Sequence, residues 1–297
     1  MSSRRRGHPV RVAWPVVALL SAPALVGIGL VFVVPFITSI RLSFGSWSGI
    51  GPVRSAGLSN YRELFSAPDF YSSVRVTILY AVLATVGIVA LSTVSAILVQ
   101  RGRSGEVLAV VWFLPAIAPA TAVAVFWTSA VQPVSGSLNG VLGHLGLGDT
   151  HAWLASPHQA IYVVIAVAIW SGVAFPFLLL VGAIKRIAPD IYEAARLDGA
   201  SGWRQAWLIT LPLIQPVLVM VTLLELIWNF NSFTLIWGMT KGGPAEATST
   251  LPVQLYVDAF QNFDYGQASA LGVVTSVVLV AVGVVGLRFA NSRTDVA

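Results

Sequence analysis

Gln215, Thr222, Glu225, Asn229 and Ser232 recur at spacings that place them close to one face of a single helix. Glu225 is the one carboxylate well inside an apolar run, and a charge at that depth is expensive enough in lipid to signal a function. Trp228 lies about one turn from it, with Phe230, Asn231, Phe233 and Trp237 close by in the chain. A carboxylate, amides and hydroxyls offer hydrogen bonds to a hydroxyl-rich ligand, while indole faces stack against its C–H surfaces. The same residues also suit a proton relay through Glu225 or plain hydrogen bonding between helices.

A second polar block, EAARLDGASGWRQAWLITLPLIQP from Glu193 to Pro216, gathers charges of both signs between apolar runs. Pro189 and Asp190 suit the first turn of a helix, and Gly199 suits its left-handed end. Ser201 then caps a second helix through Trp203 to Ile209, which Pro212 is expected to interrupt. Ile191, Ala194, Ala195 and Asp198 make one mostly small, apolar stripe that another surface can approach closely. Glu193 and Arg196, three apart, either pair or reach a partner's charges.

These blocks sit in a chain of 297 residues that is 56% hydrophobic and 10% charged, with mean hydropathy +0.81. That composition defines an integral membrane protein. The apolar runs lack the alternation of a barrel, so the expected fold is all-α, with six transmembrane helices near 13–40, 73–99, 107–131, 159–184, 211–237 and 268–289. A short cytoplasmic helix in the region 189–205 lies between the fourth and fifth, and no repeat or linker divides residues 1–297 into further domains. The arginine-rich start is read as preceding an uncleaved first span, because the apolar run outlasts a signal peptide. Prolines 23, 35, 115, 119, 176 and 216 are expected to kink their helices.

Twelve of the 17 lysines and arginines fall in alternate inter-span segments, against five in the others, which puts both termini and the 185–206 loop in the cytoplasm. The net charge of +5 is spread over short loops, so no nucleic-acid partner is expected. Absence of cysteine excludes disulfides and thiolate chemistry. His144, His151 and His158 recur every seven residues, but glycine and proline interrupt the segment and no metal site is expected. No P-loop pattern occurs, so ATP hydrolysis is not expected of this chain. A membrane-embedded enzyme would need converging catalytic residues at one depth, and the spans supply Glu225 with amides and hydroxyls.

The run Glu193, Ala194, Ala195, then Asp198, Gly199, Ala200, then Ile209, Leu211 and Pro212 resembles the EAA motif of permease subunits of ATP-binding-cassette importers. Stretches at 57–77, 153–160, 229–233, 240–256 and 259–270 resemble the carbohydrate branch, similar to maltose and glycerol-phosphate importers. The NFNSF stretch and the extended first loop are closer to the maltose-type subunit that contacts sugar than to its shorter partner. The resemblance implies a type I importer permease fold in a prokaryotic cell membrane. It implies a coupling role for Glu193, Ala194, Ala195, Arg196, Asp198 and Gly199, and a substrate pathway at Glu225, Trp228, Asn229, Asn231 and Ser232. Implied partners are a second permease, two nucleotide-binding ATPases that hold ATP and Mg, an extracytoplasmic sugar-binding protein and a carbohydrate. No cofactor is expected on this chain. A proton-coupled secondary transporter using Glu225 is the competing reading, although no inverted repeat is evident.

Overall fold

Apolar runs this long leave the backbone no partner in lipid but itself, and the computed structural model is accordingly helical almost throughout. The structure describes residues 14–100, 105–148 and 150–294. The arginine-rich start, Arg101, Arg103 and residues 295–297 lie outside them. The chain runs α1 (Trp14–Ile28), a π turn (Gly29–Val33), α2 (Val34–Ser43), a two-stranded antiparallel pair of β1 (Gly45–Ser46) and β2 (Arg54–Ser55), α3 (Ser59–Ser66) and α4 (Pro68–Gln100). It continues through α5 (Gly105–Ile117), α6 (Ala120–Ala130), α7 (Ser137–His144), α8 (Ala160–Gly172), α9 (Ala174–Lys185), α10 (Pro189–Leu197) and α11 (Gly202–Gln205). A second π turn (Ala206–Thr210) leads into α12 (Leu211–Phe230), followed by α13 (Thr234–Thr240), α14 (Leu251–Phe260) and α15 (Tyr265–Thr294).

Four stretches, Val17–Ser43, Pro68–Val99, Gly202–Phe230 and Tyr265–Gly286, are long and apolar enough to cross a bilayer, and two bent pairs bring the number to six. The segment expected as one helix over 107–131 is broken between α5 and α6, with a bend of 96°. Pro119, extended at φ −56° and ψ 143°, starts α6 afresh. The segment over 159–184 bends by 44° between α8 and α9, where Pro176 withholds the N–H that Gly172 O would accept.

The fifth segment, expected over 211–237, begins and ends earlier. Pro212 does not interrupt it: Gly202–Phe230 is continuous, because Pro212 occupies the first turn of α12 directly after a π turn that resets the ladder. At the other end Asn231 caps α12, so α13 is a separate helix and Trp237 lies beyond the span. Lys241, left-handed at φ 52°, closes α13, and Gly242 to Pro244 follow that helix rather than the fifth span.

α4 is the central column, packed against α8, α9 and α12, while α15 packs against α2, α12 and α14. One buried cluster joins Tyr80, Val123, Val164, Ile236 and Val253; another joins Ala96, Phe177, Leu180 and Ile214. Lipid is as apolar as these side chains, so close packing and hydrogen bonds hold the helices together rather than water exclusion. Gly87 and Gly172 show the closeness: a Cβ on either would fall 2.3 Å from Ile169 Cδ1 or 2.7 Å from Ile88 Cδ1. Buried Ser92 donates 2.6 Å to Ile88 O and 3.2 Å to Val173 O, tying α4 to the α8–α9 bend.

Candidate functional site

At the charged end, local sequence builds the helix as its caps dictate. α10 starts on Pro189 with Asp190 in its first turn, and Gly199 at φ 76° turns the chain out of it. Ala200 N donates 2.8 Å to Ala195 O and Gly199 N 3.1 Å to Arg196 O, closing the turn. Ser201 Oγ accepts from Arg204 N at 3.4 Å and caps α11. Glu193, Ala194, Arg196, Asp198 and Gly199 are exposed and Ala195 is half-buried. Asp198 lies just past the helix end rather than on the Ile191 stripe. Arg196 Nε donates 3.2 Å to Tyr192 O, so its side chain turns back on its own helix instead of bridging to Glu193.

The residue that anchors this helix is one that spacing alone does not single out. Tyr192 is 9% exposed, and its hydroxyl lies 3.1 Å from Thr210 Oγ1 in the π turn that opens the fifth span. Gln205 Nε2 donates 2.8 Å to Ala200 O across the same junction. A tyrosine one turn before Ala195 and Arg196 in a short polar helix was the available signal.

Deeper in the bundle, Glu225, Trp228, Asn229 and Ser232 line one cavity of about 340 Å³. The two helix breaks form its other walls, through Pro115 to Ala120 and Ser171 to Phe175, so irregular backbone borders a cavity rather than lipid. Glu225 is 5% exposed and Asn229 8%. Asn229 Nδ2 donates 2.9 Å to Glu225 O, and it lies 3.3 Å from both Glu225 Oε2 and Thr85 Oγ1. Ser232 Oγ and the Tyr80 hydroxyl are 3.2 Å apart. Trp228 keeps an open face at 51% exposure, with Phe175 5.1 Å away. Tyr80 and Thr85, both on α4, were missed because each stands singly in an apolar run.

Three expected members are placed elsewhere. Asn231 is exposed and lines a separate cavity with Phe233 and Tyr256. Gln215 and Thr222 do not reach the Glu225 cavity, and Thr222 Oγ1 is satisfied by Leu218 O at 2.7 Å. Phe233, Trp237 and Tyr256 stack together, with ring centroids 4.6 to 5.7 Å apart.

Beyond the fifth span, the 241–249 loop and α14 enclose about 410 Å³ lined by Asp69, Lys241, Glu246, Gln254 and Asp258. Burial pushes the Asp258 carboxyl from 3.8 up to about 6; the Asn262 amide opposes this, and Asp264 and Asp69 add to it. His151 stacks on Trp153 at 5.3 Å. Among the described residues no three histidines or carboxylates gather as a metal would need.

Residues 87–294 match the family described as binding-protein-dependent transport system inner membrane component. The chain is 36% identical over 235 residues to a protein of Brucella abortus described as a probable ABC transporter permease, covering 78% of this chain and 81% of that one. It is 32% identical to the diacetylchitobiose uptake system permease protein of Streptomyces coelicolor, over 80% of this chain and 74% of the relative. A bacterial alginate ABC transporter, solved in complex with its alginate pentasaccharide-bound periplasmic protein, has a chain of the same fold, with TM-score 0.83 at 21% identity over 95% of each chain. This bundle of four long apolar stretches and two bent pairs shares its fold with that transporter chain, and the chain belongs to the family of binding-protein-dependent transport system inner membrane components.

Proposed function

We propose that this chain is one of two membrane-spanning halves of an ATP-driven carbohydrate importer. A second permease completes the pathway, two ATPases dock from the cytoplasm, and a soluble binding protein delivers sugar outside. The observation that carries this reading is mechanical: one continuous helix, Gly202–Phe230, runs from the exposed Glu193 block to the cavity at Glu225 and Asn229. Tyr192 ties α10 to that helix through Thr210. A push on α10 is therefore delivered to the cavity wall. The distribution of lysine and arginine supports cytoplasmic termini and a cytoplasmic α10.

In the cycle, closure of the ATPases moves α10, and the bundle rocks so that the cavity faces one side and then the other. Asn229, Ser232 and Tyr80 hold hydroxyls in turn, while the open face of Trp228 stacks on a pyranose ring. The uptake of diacetylchitobiose named for one relative and the import of alginate by the transporter of the structural neighbour support an oligosaccharide as the class of cargo.

The test is affinity purification in mild detergent, followed by ATPase assays with sugar-loaded binding proteins encoded alongside. Recovery of a second permease and a Walker-motif ATPase, with turnover raised by one sugar, is the expected result. A chain that purifies by itself and moves substrate on a proton gradient, with uptake collapsed by an uncoupler, would overturn the reading and give Glu225 the central role.

A further inference from the structure

Between the end of α9, the inner face of α10 and the second π turn lies a cavity of about 430 Å³. Its walls combine Ile184, Ile187 and Pro189 with Lys185, Arg196, Tyr192 and Gln205. Lys185 is exposed and has no side-chain partner among the described residues. Arg196 spends one donor on Tyr192 O, which leaves its terminal nitrogens free to face a ligand. The acidic residues of α10 and its end, Asp190, Glu193 and Asp198, do not line the cavity.

A second observation sets the depth of this space. Trp203 and Trp207, either side of cavity-lining Gln205, are 69% and 54% exposed, and Leu208 is 72% exposed. Exposed tryptophans beside an exposed leucine mark the boundary between hydrocarbon and headgroups. Two cations, an amide and an apolar floor at that level match an anionic headgroup attached to an acyl chain.

We propose that this cavity binds the phosphate group of an anionic phospholipid of the cytoplasmic leaflet, seated under α10. The lipid then steadies the helix through which ATPase motion enters the bundle. The leaflet assignment rests on the orientation proposed above; the binding itself does not.

The test is native mass spectrometry of the full chain with whatever subunits accompany it, titrated with phosphatidylglycerol or phosphatidylcholine of matched acyl chains. Because it reads mass rather than turnover, it stands whether or not the importer reading does. Phosphatidylglycerol is expected to bind in preference, with Lys185→Gln weakening it about fivefold and Lys185→Arg restoring it. Lys185 is on the surface, so neither change threatens folding. Equal binding of the two lipids, or no change in Lys185→Gln, overturns the proposal. Displacement of bound lipid by millimolar inorganic phosphate also overturns it, by identifying a site for a soluble anion.

Discussion

The α10 block and the Glu225 cavity are both polar islands in an apolar chain, yet they satisfy their polar groups in opposite ways. Around α10 the hydrogen bonds span at most 18 positions, from Arg204 to Ser201, from Gln205 to Ala200 and between Tyr192 and Thr210, and Glu193 and Asp198 are exposed. Around Glu225 the partners come from 144 and 152 positions away, through Thr85 and Tyr80. One region leaves its charged residues exposed; the other is completed by the fold itself. Substitutions at α10 should therefore change transport without changing stability, and substitutions at the cavity should change both.

The largest expected effect tests the first half of that statement. Glu193→Arg places a reversed charge at an exposed position, so the chain should fold and insert with unchanged thermal stability. Uptake in vesicles should nevertheless fall by about a hundredfold or more, because a docked interface would bury an unmatched charge. Ala194→Trp should act in the same direction through bulk. Normal uptake by both variants would show that α10 does not carry the coupling.

Asn229→Leu tests the second half. It keeps the volume close but strips the amide from Glu225 and Thr85 in a buried setting. Unfolding in detergent should show a loss of about 1–3 kcal/mol, alongside lost uptake. The similar change Arg196→Leu, at an exposed site, should stay within about 0.5 kcal/mol. If the two variants lost equal stability, the contrast between the regions would fail.

Tyr80→Phe and Ser232→Ala each remove one end of the 3.2 Å contact between α4 and the end of α12. Each should lose about 0.5–1.5 kcal/mol, and the double variant should lose less than the sum. Additivity would show that the contact carries no energy of its own.

Legibility in sequence followed the same division. The α10 block could be read because its determinants, Pro189, Gly199 and Ser201, act on their own neighbours, and the caps formed where those residues stand. The cavity could be read only by halves. Helical spacing brought Glu225, Asn229 and Ser232 together, but nothing local distinguishes Tyr80 or Thr85 from residues that face lipid. Kinks were expected at Pro119 and Pro176 within single spans over 107–131 and 159–184, but hydropathy is blind to direction and does not set the 96° and 44° of the bends. Pro119 and Pro176 break the ladder because neither carries an N–H, and the bends they make border the cavity. Asn231 was grouped with its neighbours by adjacency, and one residue of helical rotation past the end of α12 turns it away.

Asp258 offers a third setting, a half-buried carboxyl beyond the span that forms no ion pair among the described residues, although Lys241 lines the same cavity. Its pKa is raised to about 6 from 3.8, so the folded state prefers the protonated acid. The stability this provides is complete below about pH 3.8 and is lost as pH rises through about 6. The melting temperature should decline across that window, and Asp258→Asn should flatten the decline. An unchanged slope would place the titration elsewhere.

The smallest effect should come from Ser201→Ala. Its hydroxyl accepts from Arg204 N at 3.4 Å, a long bond on a helix of a single turn, so the loss should sit at about 0.5 kcal/mol, the low end for such caps. Hydrogen exchange at the Arg204 amide should speed up while exchange in α12 stays as it was. Because Gln205 and Thr210 still join the segment to α10, the loosening should stop at the π turn. If exchange rose as far as Glu225, α11 and the cavity wall would form one cooperative unit, and the two regions would be coupled more tightly than their separate hydrogen bonds imply.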